Sequence, residues 1–435
     1  MFISADEEIE SIGIGRFHKT ALVVCGMANA ADAVELLAVG YIIPELDVSS
    51  SEKGFVSAAV FAGMLFGGLI AGTLADKWGR KPLLLVSLGI NAVFGLISAV
   101  LPNWYWLAVA RVVSGLGVGG SIPTVFTLFA EYLPVDRRGR YLTGVAAFWM
   151  VGSIYTAGVA WIMLGWLNLS WRLFAVAAAF PACATFVLVA VLLPESPRYL
   201  YEQGNVEACE AVLIRIAGAC SRPSSFASSR QLQRVTPPPP SPPGCRLSER
   251  TRDAWASVVP LFHGRLGRTT FLLIVTWFTL SFGWYGLILW VPTLFKVGLG
   301  VELDEFQNAF VVAAANLPGN IVALYLVERV RRKSLLSASM ALSGVLAFAF
   351  AFSKNAVIIV AVASMMNAVS VCGWNALDCL STEVFPTTLR TSGMGLLAAW
   401  GRLGSITGQI VFSWLIDVSV TVLLLVASSM LFVGA

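Results

Sequence analysis

The chain has 435 residues, of which 57% are hydrophobic and only 12% charged, and its formal net charge is +4. A soluble domain carries about 25% charged residues, and one water-soluble core could not hide this much apolar side chain. The composition excludes an ordinary soluble domain and asks for a bilayer, while basic residues clustered between apolar runs point to membrane topology rather than nucleic-acid binding.

A spanning helix needs roughly 20 apolar residues. In chain order the candidate runs are about 20–44, 54–75, 82–101, 104–132, 141–165, 171–193, 269–295, 305–327, 334–353, 355–380, 391–415 and 418–435. They predict an all-α membrane protein with twelve transmembrane helices. The expected organisation is an N-terminal six-helix half (1–193), a cytosolic linker (194–268) and a C-terminal six-helix half (269–435). The first nineteen residues include Asp6, Glu7, Glu8 and Glu10, unlike the basic start of a secretory leader, so the first run is expected to act as a signal anchor. Residues 196–218 read as one or two amphipathic surface helices. Residues 219–250, rich in Ser, Pro and Arg and including Pro237 to Pro240, are expected to be disordered with polyproline character. They read as a linker, with a regulatory or partner-binding role as the alternative.

The positive-inside rule orients these runs. With the N-terminus in the cytosol, 23 of the 29 basic residues fall on inner segments. Lys53, Arg172, Lys296 and Lys354 fall outside, and Arg111 and Arg402 lie within spans. Both termini are therefore expected in the cytosol, in a plasma or intracellular vesicle membrane. Cys25, Cys183, Cys372 and Cys379 fall in apolar runs, and Cys209, Cys220 and Cys245 in the central loop. That placement argues against a disulfide framework.

The loop after the second span reads Gly72-Thr-Leu-Ala-Asp76-Lys-Trp-Gly79-Arg80-Lys81. Glycine lets helices approach closely, and an aspartate at a helix end can pair with arginine. Plain topogenic charge explains the basic residues but not Gly72, Asp76 and Gly79 at these spacings. A degenerate copy follows the eighth span, Glu328-Arg329-Val330-Arg331-Arg332-Lys333. A second matched pair follows spans four and ten: Glu131-Tyr-Leu-Pro134 with Arg138, and Glu383-Val-Phe-Pro386 with Arg390. Each places an acid at a helix end, a proline that stops the helix and an arginine seven residues on. The first loop resembles the signature of the major facilitator superfamily, whose parallel six-helix repeat would explain both duplications. In the second copy Glu328 stands for the usual Asp and Arg331 for the usual Gly. The resemblance implies a cytosolic gate at Asp76, Gly79, Arg80, Glu131, Arg138, Glu328, Arg332, Glu383 and Arg390, with Glu/Arg pairs able to bridge the halves.

Ala31-Asp32-Ala-Val-Glu35, Ser114 to Pro123, Phe148-Trp149-Met-Val-Gly152, Pro194-Glu-Ser-Pro-Arg198, Trp277 to Gly286, Leu317-Pro-Gly-Asn320 and Trp374-Asn-Ala-Leu-Asp378 are similar to the synaptic vesicle glycoprotein 2 family, near the organic ion and nicotinate transporters. The resemblance covers nearly all of residues 14–415. The short N-terminus and the brief connection from Lys296 to Asp304 depart from the vertebrate members, so only the transporter core is carried over. The resemblance implies a pocket lined by Trp149, Trp284, Tyr285, Trp374 and Asp378, while Trp161, Trp166 and Trp290 are expected to face lipid or the interface. Arg402 joins that site: it corresponds to a helix position where organic anion transporters carry arginine, which leans toward anionic or neutral solutes.

Ionisable residues inside a span usually face a cavity or a partner. Asp32 and Glu35, three apart, share a helix face, and nearby carboxylates make a plausible proton acceptor. The alternative is a structural pair with Arg111. The expected function is secondary active transport of a small polar organic solute (an organic anion, a vitamin-like acid or a neutral sugar) by alternating access, with protons as the driving ion and Asp32, Glu35 and Arg111 as the coupling site. The rival is a transporter-like membrane or vesicle protein with a regulatory role. An enzyme is not expected: His18 and His263 sit in polar segments, the Gly115-x-Gly117-x-Gly119 run lies mid-helix rather than after a strand, and no cofactor or metal is called for. The expected partners are a small-molecule solute and the lipid bilayer, without nucleic acid, for a monomer.

Overall fold

A computed structural model describes residues 2–3, 5–220, 231–232, 258–297, 304–386 and 389–435. Pro237 to Pro240, Cys245 and most of the Pro-rich part of the linker lie outside these residues. The helices in chain order are α1 (Ala5–Ile12), α2 (Arg16–Ile42), α3 (Ser50–Trp78), α4 (Arg80–Ser98), α5 (Trp104–Tyr132), α6 (Val135–Ala160), α7 (Trp171–Leu192), α8 (Pro197–Glu202) and α9 (Val206–Ala219). They continue as α10 (Gly264–Val297), α11 (Glu305–Ala314), α12 (Asn316–Arg329), α13 (Arg332–Phe352), α14 (Ala356–Val384), α15 (Arg390–Val418) and α16 (Val420–Gly434). Two two-residue strands, Phe2–Ile3 and Gln231–Leu232, pair in parallel.

Ten helical stretches are long and apolar enough to cross a membrane by themselves. With the 29-residue α15 and the apolar α16 they make twelve spans, arranged as two six-helix halves. The eighth span is broken at Ala315 into α11 and α12. The fifth runs past α6 into a π-helical turn, Trp161–Trp166, and Asn168, at φ 48°, follows it. Local chemistry sets the ends. Ser49 and Glu52 close a reciprocal cap on α3, with Ser49 N donating to Glu52 Oε2 at 2.9 Å. Gly79 turns the chain from α3 into α4 at φ 98°, a left-handed conformation open to glycine.

Inside each half, small residues bring helices into backbone contact, as membrane packing favours. A Cβ on Gly115 would strike the Val60 carbonyl of α3, one on Gly117 would lie 2.5 Å from the Ser87 carbonyl of α4, and one on Gly119 would strike the Met64 carbonyl of α3. The glycine run read as helix packing therefore clamps α5 against α3 and α4. In the C-terminal half, Gly404 and Gly408 bring α15 onto the backbone of Phe278 and Phe282 in α10.

Three short helices cover one end of the N-terminal half. Two of them, α8 and α9, were expected from residues 196–218. The third, α1, was not: it buries Ala5, Ile9 and Ile12 against them. Asp6 pairs with Arg198 at 3.0 Å, and Glu10 Oε1 accepts from Val135 N, at the start of α6, at 2.7 Å.

The halves meet toward the opposite end. There Ser50 donates to Asp417 at 2.6 Å, and Lys296 Nζ reaches Glu45 Oε1 at 2.8 Å and the Pro44 carbonyl at 3.0 Å. Gly40 of α2 lies on the Leu289 backbone of α10, and Trp161 stacks on Phe310 with centroids 5.3 Å apart. Among the described residues, no ion pair or side-chain hydrogen bond joins the halves at the end that carries α1. Trp290, expected at lipid, is instead fully buried and donates to Gln409 Oε1 at 2.9 Å. Gln409 in turn donates to the Tyr285 carbonyl at 2.8 Å, so an internal amide gives this indole the partner that burial demands. Trp166, by contrast, is exposed.

Candidate functional site: a central cavity and two buried acids

A cavity of about 300 Å³ lies between the halves. All six residues expected at a pocket line it: Trp149 from α6, Trp284 and Tyr285 from α10, Trp374 and Asp378 from α14, and Arg402 from α15. Helical spacing brings Trp374 and Asp378, four apart, to one face. The structure adds Asn29, Trp277 and Ser281 to the wall. Trp277 opens a run the sequence already singled out, but nothing in its spacing marked it as facing the cavity.

The aromatic rings form one block. Trp284 sits 5.7 Å from Trp374 and 4.7 Å from Tyr285, Tyr285 lies 5.6 Å from Trp374, and Trp277 lies 5.7 Å from Trp374, each pair edge to face. Edge-to-face pairs contribute about 0.5–1.5 kcal/mol beyond area burial, so this wall is preorganised. Two indoles are anchored from behind: Trp277 Nε1 donates to Ser381 Oγ at 2.9 Å, and Trp284 Nε1 to Asn367 Oδ1 at 3.0 Å. Trp374 Nε1 is buried with no partner. The Arg402 guanidinium lies 5.9 Å from the centre of the Tyr285 ring. Neither Asp378 nor Arg402 forms a salt bridge, with the other or with any other described residue.

The two acids of α2 lie outside the cavity lining, packed into the N-terminal half. Glu35 pairs with Arg111 of α5 at 2.5 Å, and Arg111 also donates to Ser98 Oγ at 2.8 Å. The structural pairing held open from sequence is thus present for Glu35. Asp32 is different. It is fully buried, accepts from Ser121 Oγ at 2.5 Å and from Asn91 Nδ2 at 3.3 Å, and has no cation among the ion pairs of the described residues. Asn29, three residues before it, reaches the cavity.

The expected gate residues divide. Arg80 pairs with Glu131 at 3.3 Å and Asp76 at 3.6 Å, under the ring of Tyr199 at 4.8 Å. Arg332 pairs with Glu383 at 3.3 Å and donates to the Val327 carbonyl at 2.6 Å. Both arginine–glutamate pairs span 51 residues of sequence, so the duplication read from the motifs recurs as the same contact in each half. Each pair ties helices within one half; neither bridges the halves. Glu328 and Arg390 enter no ion pair among the described residues, and Arg138 keeps Nε and Nη2 buried without a partner. Sequence reasoning missed Glu195. Its Oε1 accepts from Arg80 N at 3.2 Å and Lys81 N at 3.1 Å, capping α4, and from Ser196 N at 2.7 Å. A Cβ at Gly79 would collide with this carboxylate, which gives Gly79 a second reason to be glycine.

Twelve spans in two halves, a contact repeated between them and a cavity at their junction define a major facilitator membrane protein. The sequence model of the sugar (and other) transporter family matches residues 17–435, and the chain belongs to that family, one of transporters rather than enzymes. It is 27% identical to mouse synaptic vesicle glycoprotein 2C over 98% of this chain and 78% of that one. Rat synaptic vesicle glycoprotein 2A is 26% identical over 98% and 77%. Among solved structures it resembles the xylose transporter XylE from E. coli in a partially occluded inward-open conformation, with TM-score 0.73, 18% identity and 96% of each chain covered. A crystal structure of a D-xylose–proton symporter gives TM-score 0.71 at 18% identity over 95% of each chain.

Proposed function

We propose that the protein is a proton-driven secondary transporter that carries a small polar organic solute through the central cavity by alternating access. The observation that carries this reading is the asymmetry of the interface between the halves. They are pinned together on the side of Lys296, Glu45, Ser50 and Asp417, and among the described residues no ion pair links them at the α1 end, with a preorganised aromatic cavity between. With the N-terminus in the cytosol, as the basic residues favour, this is an inward-facing state. The solute site draws its charged groups from the C-terminal half. Proton coupling belongs to the N-terminal half, where Asp32 holds a carboxyl on two neutral donors behind the cavity wall, and the Glu35–Arg111 pair holds α2 to α5. The proton-coupled xylose transporter of the same fold supports the coupling.

Purified protein in proteoliposomes should accumulate solute under an inwardly directed proton gradient and lose that accumulation when the gradient is collapsed by a protonophore. The second reading is a regulatory vesicle protein with little transport, favoured by the identity to synaptic vesicle glycoproteins across 98% of the chain. It takes over if a broad panel of organic acids, vitamins and sugars shows no gradient-driven uptake.

A further inference from the structure

The cavity wall holds an acid and a base that are each left open. Asp378 and Arg402 both line it, yet neither is neutralised by the other or by any other described side chain through a salt bridge. The ion pairs of the described residues close at 2.5–3.7 Å, and neither of these two groups is among them. The same cavity is lined by rings whose faces attract cations, above all quaternary ammonium groups. The same wall carries the buried, unpartnered indole N–H of Trp374, which asks for an acceptor. A neutral sugar would leave two opposite charges unanswered in a partly desolvated site, and a simple anion or cation would answer one and be repelled by the other.

We propose that the solute is a zwitterion: a small molecule with an ammonium group, held by Asp378 and the aromatic faces, and a carboxylate, held by the Arg402 fork with an acceptor for Trp374 Nε1. This rests on reading the cavity as the solute site and names the solute class for it. The net charge of such a solute is zero, and so is that of its two partners, so the loaded cavity carries no net charge as the halves rock. Arginine fits the role because its planar fork grips a carboxylate at two points and stays charged.

The test uses the full chain in lipid nanodiscs and follows thermal unfolding against four kinds of probe: trimethylglycine and its longer-chain trimethylammonio-carboxylate homologues, choline, butyrate and xylose. At least one homologue should stabilise the protein at concentrations tenfold or more below those needed with choline or butyrate. Asp378→Asn should weaken that homologue about tenfold, the loss of one close charge–charge contact in a partly desolvated site, without weakening butyrate. Arg402→Gln should weaken it similarly without weakening choline, and Arg402→Lys should restore part of the loss, which a folding defect would not. The proposal is overturned if choline, butyrate or xylose matches the best zwitterion, if no homologue binds, or if neither variant changes the preference. Zwitterion binding without gradient-driven uptake would sink the transporter reading and leave the site standing; uptake of xylose without zwitterion binding would do the reverse.

Discussion

Asp32 and Glu35 sit three residues apart on α2 and meet different fates. Glu35 is locked to Arg111, and Arg111 to Ser98. Breaking a buried pair from one side leaves a lone charge and costs about 3–5 kcal/mol. Glu35→Gln should therefore lower the unfolding temperature of the purified protein sharply, and adding Arg111→Met should recover part of the loss. Asp32→Asn removes no ion pair, and asparagine can still meet Ser121 and Asn91. That variant should keep its unfolding temperature, lose gradient-driven accumulation and retain solute exchange, which needs no net proton movement. A full loss of stability in Asp32→Asn, or accumulation that survives it, would remove Asp32 from the coupling role. The sequence marked both acids, since charge within a span is rare. It could not divide their roles, because Ser121, Asn91 and Ser98 come from two other helices and a hydroxyl in a span carries no signal of its own.

Helix spans were legible because roughly twenty apolar residues leave one option in a bilayer. The break at Ala315 was not, because the apolar run continues past it for the length of a span. Eight-residue α1 was missed for another reason: its four acids read as an unsuitable leader, and a helix that short is held by what it packs on rather than by its own pattern. Of the candidate gate, the motif arginines Arg80 and Arg332 found their glutamates, while Arg138 and Arg390 did not pair as their spacing suggested. Glu195 was read only as part of a family motif, yet it caps α4. Replacing one charge-assisted cap costs about 0.5–2 kcal/mol, so Glu195→Gln should lower the unfolding temperature modestly. It should also raise hydrogen exchange at the Arg80 and Lys81 amides more than elsewhere. Unchanged exchange at those two amides would show that the carboxylate contributes nothing to the turn.

At the scale of the molecule, the two halves repeat one another in their latches and divide in their chemistry. The C-terminal half supplies Asp378, Arg402 and most of the aromatic wall; the N-terminal half supplies Trp149, Asn29 and the buried acids. The doubled motif matched the two-half architecture that the twelve apolar runs had already suggested. The direction in which the cavity opens was not readable, since it depends on Lys296 meeting Glu45 across the halves. Sided labelling tests from which face of the membrane the cavity is reached. Ala398 lines the cavity and is exposed there, so a cysteine at this position, in a chain lacking its seven native cysteines, reports which face of the membrane reaches it. In oriented proteoliposomes Ala398→Cys should react with an impermeant thiol reagent from the cytosolic side, and adding Lys296→Met should shift labelling toward the opposite side. Equal labelling from both faces at once, or labelling that ignores Lys296, would contradict alternating access around this cavity.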